Sequence, residues 1–364
     1  MKTKMIAVKE LVPDMIIGDA VLAPSGKVLL GKNVRVTPRT ISLLSMWDVN
    51  FVYILDSGGT EADNANVSED ISQPDQQPEQ EPNLSVVFRT FYNEYNTIVS
   101  GSSQSFDFVR NYKQVPIQEL KDLSFSIYST VLSTGAAAMD YLLVSDYNLA
   151  DQVSRHSVMV AFISSMIGRQ MRFEEKDIQS LVLAGLLHDI GKFVISKEEE
   201  TAPAAHIISG AKLLRNVTGV SPEVVAAILY HHECLDGSGF PMAKQGDKVP
   251  VYARVIAIAD TFHKEAYRME YSNPFCALEY IFRERFTKFD PLISQVFINN
   301  VRDALLNSSV MLSDGRIAKV IFFNEERYGS PVVRTENGKV IDLAATKNLT
   351  IHYVLNEEYL VKVN

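Results

Sequence analysis

From about Leu84 to Leu306 the apolar positions recur every three or four residues. The stretch IQELKDLSFSIYSTVLSTGAAAMDYLL carries the pattern most clearly, and the whole segment predicts one large helical domain. The first 56 residues differ: short apolar runs, MIIGDAVLA and GKVLLGK, are punctuated by glycines and followed by a helical TPRTISLLSMW and then FVYIL. Strand, hairpin, helix and strand is the predicted order. Between residues 57 and 83 the chain is acidic and rich in Pro, Gln, Asn and Ser, with almost nothing to bury, so it reads as a linker or a loop. After residue 308, RIAKVIFFN, PVVRTENGKVIDL and LTIHYVL are β-branched runs with a turn signal at Asn337-Gly338. The expected organisation is a small mixed α/β unit at 1–56, a linker at 57–83, a helical connector at 84–150, the main helical domain at 151–307 and a short β extension at 308–364. The fold class is mainly α.

Composition narrows the function classes. A chain of 364 residues has ample material for a packed core, and 46% hydrophobic with 22% charged residues describes an ordinary globular protein. The net charge of -9 leaves no general electrostatic footprint for a nucleic acid polymer. Two cysteines, Cys234 and Cys276, are too few for a disulfide framework and suit a reducing compartment. Lys9, Glu10 and Asp14 interrupt any signal-like run near the start, and the apolar LVLAGLL at 181–187 is too short to span a bilayer. A soluble, cytoplasmic protein without a membrane partner is expected.

The candidate chemistry lies in the histidines. Alone, each of His156, His188, His206, His231 and His232 reads as a capping or core residue. Together, in one helical segment and beside Asp189 and Asp260, they read as a metal set, since imidazole and carboxylate suit first-row metals such as Fe, Mn, Ni or Zn. DIQSLVLAGLLHDIGK predicts a core helix ending near Gly191, with His188 and Asp189 at its C-terminal end. Ser221-Pro222-Glu223 is a helix start with Ser as N-cap and Pro at the first position, so VVAAILYHH puts His231 and His232 at the far end of that helix. In VYARVIAIADTF, Asp260 is the one acidic residue of an apolar helix, costly to bury unless paired or metal-bound. Lys192 reads either as a helix-end cation or as a phosphate contact.

The order HDIGK at 188–192, then HHECLDGSGFP at 231–241, resembles the HD-GYP branch of the HD metal-dependent phosphohydrolases, over about residues 150–305. The resemblance implies a helical HD-type domain with two divalent metals, iron or alternatively manganese. His156, His188, Asp189 and Asp260 would hold one metal. Asp189, as the bridge, would hold the second with His206, His231 and His232. It implies hydrolysis of cyclic di-GMP to linear pGpG or GMP by a hydroxide held between the metals, with Lys192 and Asp189 as the catalytic pair. Asp236, Gly237, Gly239, Phe240 and Pro241 form the GYP-like loop. Lys264, Tyr267, Arg268 and Tyr271 would meet the substrate, and the amino-terminal unit or the loop a signalling partner.

Five positions depart from that pattern. Gln152 stands where some members carry a third-metal glutamate, Cys234 where Arg or Lys follows HHE, and Phe240 where the namesake tyrosine belongs. After Asp260 this chain reads FHKEAYRMEY against a family pattern near FDALTSxRPY, so His263 replaces an aspartate and Arg268 lies one place off. These departures keep open an alternative, a non-catalytic or very slow cyclic-dinucleotide receptor that uses the metal site and altered loop for binding.

Overall fold

The computed structural model describes residues 3–12, 15–19, 21–22, 28–30, 36, 44, 51–55, 84–134, 139, 143, 153–196, 198–267 and 273–355. They belong to two compact units, Met1–Asn83 and Leu84–Asn364. In the first unit, strand β1 (Thr3–Ala7) pairs antiparallel with β4 (Phe51–Leu55), and β2 (Val21–Leu22) with β3 (Val28–Leu30). Its small core gathers Val8, Leu11, Ile17, Val21, Val36, Leu44, Val52 and Ile54. Most of the helix expected in TPRTISLLSMW and all of the 57–83 linker lie outside the described residues.

The second unit is helical up to Leu305, where the apolar periodicity predicts helices, and ends in a β-sheet. Its helices are α1 (Leu84–Tyr112), α2 (Ile117–Thr134), α3 (Val153–Gln170), α4 (Glu175–Leu187), α5 (Ala205–Leu214), α6 (Pro222–Tyr230), α7 (Val251–Ala266), α8 (Pro274–Glu284) and α9 (Pro291–Leu305). Helix α3 is the centre of the bundle. Val158, Met159, Val160, Ala161, Phe162 and Ile163 are all buried, so it is covered around its whole circumference and packs on α1, α2, α4, α7 and α9. Gly185 lets α4 come close to α3: a Cβ there would lie 3.0 Å from the Cα of Ala161.

Helix α4 ends four residues earlier than its sequence suggests. His188 is its C-cap, and Gly191 falls in a 3₁₀ turn, Ile190–Phe193, with no left-handed backbone. The glycine is needed for another reason. A Cβ on Gly191 would sit 1.8 Å from the backbone oxygen of His206, because the turn packs directly on α5. Helix α6 starts as expected, with Ser221 Oγ accepting from Val224 N at 3.4 Å and Pro222 in the first turn. Strands β5 (Ser309–Leu312), β6 (Ile317–Asn324), β7 (Arg327–Thr335), β8 (Val340–Asp342) and β9 (Ile351–Val354) form one antiparallel sheet in the order β8-β7-β6-β5-β9. Its β7–β8 turn uses Gly338 at φ +83°, and α8 packs on β7, where Glu279 accepts from Gly329 N at 3.0 Å.

Substituting Gly191→Ala forces the 3₁₀ turn and α5 apart. Denaturant unfolding is expected to show a loss of about 1–3 kcal/mol, the usual cost of overpacking. Unchanged stability would mean that the turn can move off α5 freely.

Candidate metal centre

Five helices or helix ends bring the predicted residues together. His156 comes from the first turn of α3, His188 and Asp189 from the end of α4, His206 from the start of α5, His231 and His232 from the end of α6, and Asp260 from the third turn of α7. Two of the histidines are set by the same local device. His188 Nδ1 lies 2.8 Å from the carbonyl oxygen of Gly185, and His231 Nδ1 lies 2.8 Å from that of Ile228. Each ring donates its Nδ1–H to a carbonyl of the last helical turn, which otherwise lacks an intrahelical partner. The bond fixes the tautomer and leaves the Nε2 lone pair facing inward.

The two carboxylates divide the cluster. Oδ2 of Asp189 is 3.3 Å from His188 Nε2 and 3.6 Å from His156 Nε2, whereas Oδ1 is 3.4 Å from His206 Nε2. Oδ1 of Asp260 is 3.0 Å from His156 Nε2 and 3.8 Å from His188 Nε2, and Oδ2 is 4.0 Å from His232 Nδ1. Three sets have ligand atoms mutually within 4.8 Å: His156, His188 and Asp260; His206, His231 and His232; and His188, Asp189 and His231. Asp189 Oδ1, Asp260 Oδ1, His206 Nε2 and His231 Nε2 are buried and have no hydrogen-bond partner among the described residues. Polar atoms so placed are costly unless something else engages them, and an oxygen and nitrogen donor set of this kind suits a first-row metal. The residues present fit such an ion.

Two lysines complete the electrostatics. Lys192 Nζ is 2.5 Å from Asp189 Oδ2, and Lys264 Nζ is 2.7 Å from Asp260 Oδ2. Burial by itself would raise both carboxyl groups. The histidines and ammonium groups around them outweigh that cost and hold both well below the ordinary carboxylate range. Both lysine side chains are partly exposed, at 35% and 44%, so neither is sealed from solvent.

The GYP-like loop stands beside the cluster. Asp236 Oδ1 accepts from Ser238 N at 2.9 Å, Gly237 takes φ +82°, and a Cβ on Gly239 would lie 2.3 Å from Cys234 N. Phe240 donates its N–H to His232 O at 3.2 Å and sets its ring 5.1 Å from the His232 ring; Pro241 follows it. Sequence reasoning gave no role to Glu233, whose buried carboxylate clasps the loop by accepting from Met242 N at 2.7 Å and Lys244 N at 2.9 Å. His263, a departure from the family pattern, is likewise buried, with its Nδ1 2.9 Å from His156 Nδ1. Of the expected substrate residues, Lys264 lies at the cluster and Tyr267 is the C-cap of α7; Arg268, Tyr271 and also Gln152 lie outside the described residues.

Burial lowers the titration of His156, His206 and His231, and takes His232 down to about 4. These rings are therefore neutral at pH 7, the form a metal ligand needs. In the unfolded chain each returns to about 6.5, so between about pH 6.5 and 4 the unfolded state binds more protons than the folded one. The unfolding free energy of metal-free protein should fall as the pH is lowered through that window, with His232 alone accounting for on the order of 3 kcal/mol. Asp189 and Asp260 keep their contribution there, because they lose it only at still lower pH. Chemical denaturation from pH 7.5 to 4 measures the effect, and a flat profile would contradict the neutral, buried histidines.

Residues 153–265 match the family model described as HD domain. A cyclic di-GMP phosphodiesterase of Pseudomonas aeruginosa is 29% identical over 53% of this chain and 48% of its own length. A cyclic di-GMP phosphodiesterase of Thermotoga maritima is 26% identical over 56% of this chain and 59% of its own. A 3'3'-cGAMP-specific phosphodiesterase of Vibrio cholerae is 26% identical over 42% of this chain and 34% of its own. The chain thus spans between 34% and 59% of the length of these relatives. Among solved structures, an HDG"Y"P protein from Bdellovibrio bacteriovorus superposes with a TM-score of 0.49 at 16% identity, covering 82% of this chain and 99% of that one. Among the described residues no helix is long and apolar enough to cross a membrane. The match to the HD domain model thus spans the whole cluster, and within it HDIGK at 188–192 and HHECLDGSGFP at 231–241 carry the likeness to the HD-GYP branch.

Proposed function

We propose that this chain is a metal-dependent phosphodiesterase that hydrolyses cyclic di-GMP to linear pGpG or GMP, using two divalent ions, iron or alternatively manganese. The observation that carries the reading is the orientation of Asp189: one oxygen faces His156 and His188, the other faces His206. That arrangement suits a carboxylate shared by two ions. A metal pair in such a site lowers the pKa of water and offsets the negative charge that builds on phosphate during attack. The names of the relatives support a cyclic dinucleotide as substrate, cyclic di-GMP or cGAMP.

The chain's own residues have separate tasks in this reading. Lys192 and Lys264 hold the two carboxylates ionised through Oδ2 and offer ammonium groups to non-bridging phosphate oxygens. Phe240, over His232, gives an apolar ring face to the substrate and lacks the hydroxyl of the family pattern. Tyr267, with Arg268 and Tyr271 beyond it, supplies stacking and charge for a base and its phosphate. The amino-terminal unit or the loop at Asp236–Pro241 serves a signalling partner, and the protein works in the cytoplasm. The substitution at Phe240 also favours a second reading, a receptor that binds the cyclic dinucleotide without turnover.

Metal-loaded protein incubated with cyclic di-GMP should release linear product, followed by chromatography. Tight binding with no product would favour the receptor. Asp189→Ala should lose both metal equivalents together with turnover, since one carboxylate serves both halves of the cluster; metal content equal to wild type would refute the ligand assignment. Phe240→Tyr is expected to raise kcat/KM by up to about tenfold, the worth of one added hydrogen bond near 1.4 kcal/mol.

A further inference from the structure

His263 follows Asp260 by one turn on α7, and its Nδ1 lies 2.9 Å from Nδ1 of His156. Two ring nitrogens that close need a proton on one and a lone pair on the other. The far nitrogen of His156, Nε2, faces Asp260 Oδ1 at 3.0 Å and His188 Nε2 at 3.1 Å, so it is the atom available to a metal. A lone pair at Nε2 puts the His156 proton on Nδ1. With Nε2 given to a metal the bond has one direction: His156 donates, His263 Nδ1 accepts, and the His263 proton sits on Nε2, a buried atom with no hydrogen-bond partner among the described residues.

We infer that His263 is a positioning residue, a neutral imidazole acceptor that holds His156 in the tautomer and orientation directing Nε2 into the cluster. The inference rests on the metal-centre reading of the proposed function. His188 and His231 obtain the same tautomer from carbonyls of their own helices, Gly185 and Ile228. His156, the fourth residue of α3, has the His263 ring in that role instead, and this ring is in turn packed against Tyr267 at 4.8 Å and 31°. Outer partners of this kind orient the ligand and set its basicity, and a carboxylate acceptor would make His156 a stronger donor to metal than a neutral ring does. The next residue, Lys264, adds a positive charge on the same side through Asp260 Oδ2. This edge of the centre is therefore less electron-rich than a carboxylate at position 263 would make it.

The test is the Mn²⁺ affinity of the full chain, measured by competition with a chelator, for wild type, His263→Leu, His263→Asn and His263→Asp, with circular dichroism to check folding. His263→Leu should weaken one of two metal equivalents by about 10–100-fold. His263→Asn, which restores an acceptor oxygen, should recover most of that loss, and His263→Asp should bind at least as tightly as wild type. Wild-type affinity in the leucine variant would overturn the inference, as would equal weakening in all three variants, since that would mark a packing role. If the leucine variant fails to fold, weaker binding by His263→Asp than by wild type overturns it alone. A wild-type chain that takes up no Mn²⁺ would sink the metal-centre reading itself, an outcome distinct from the other two.

Discussion

Two carboxylates, Asp189 and Asp260, are held ionised inside a helical bundle. Such groups are among the most expensive things a protein can bury, and they persist only where charge and hydrogen bonds surround them. Lys192 and Lys264 each take one oxygen, and the imidazoles line the rest. Oδ1 of each carboxylate still has no hydrogen-bond partner among the described residues. The stability that tolerates this comes from elsewhere, from a core centred on α3 whose side chains are buried on every face. The bundle keeps the polar cluster assembled against its own tendency to hydrate.

Helix ends make the cluster possible. The C-termini of α4 and α6 both point their last turns at it, and a helix C-terminus carries roughly half a negative charge from carbonyls without partners. At each terminus the C-cap residue is a histidine that bonds back to the carbonyl three residues earlier. One hydrogen bond thus finishes the helix, selects the ring tautomer and turns a lone pair inward. Because the rings are fixed by helices packed in a single core, their spacing does not depend on loops.

Much of this arrangement was legible in the sequence because its signals are local. Ser221-Pro222 announces the start of α6, so the position of His231-His232 at its end follows from helix length, and the apolar run around Asp260 marks that residue as buried. The reason for Gly191 was not legible. Its sequence context marks the end of a helix, whereas the helix stops at Leu187 and the glycine is needed for close approach to α5, which comes later in the chain. Nor was His263, whose partner His156 is 107 residues away, or Glu233, whose carboxylate closes the loop over backbone amides nine and eleven residues on. Neither contact leaves a periodic trace. Both are matters of where helices and loops meet.

The charge balance of the cluster bears on what it attracts. With His156, His206, His231 and His232 neutral, the carboxylates of Asp189 and Asp260 are matched by the ammonium groups of Lys192 and Lys264. Any cation held by the imidazoles then adds positive charge that nothing else in the cluster cancels. An anion is the complement to that surplus. The chain as a whole carries -9, which opposes an anion at long range, but screening confines that repulsion to about 8 Å at physiological salt. Within that distance of the cluster the local balance decides, and it favours the anion.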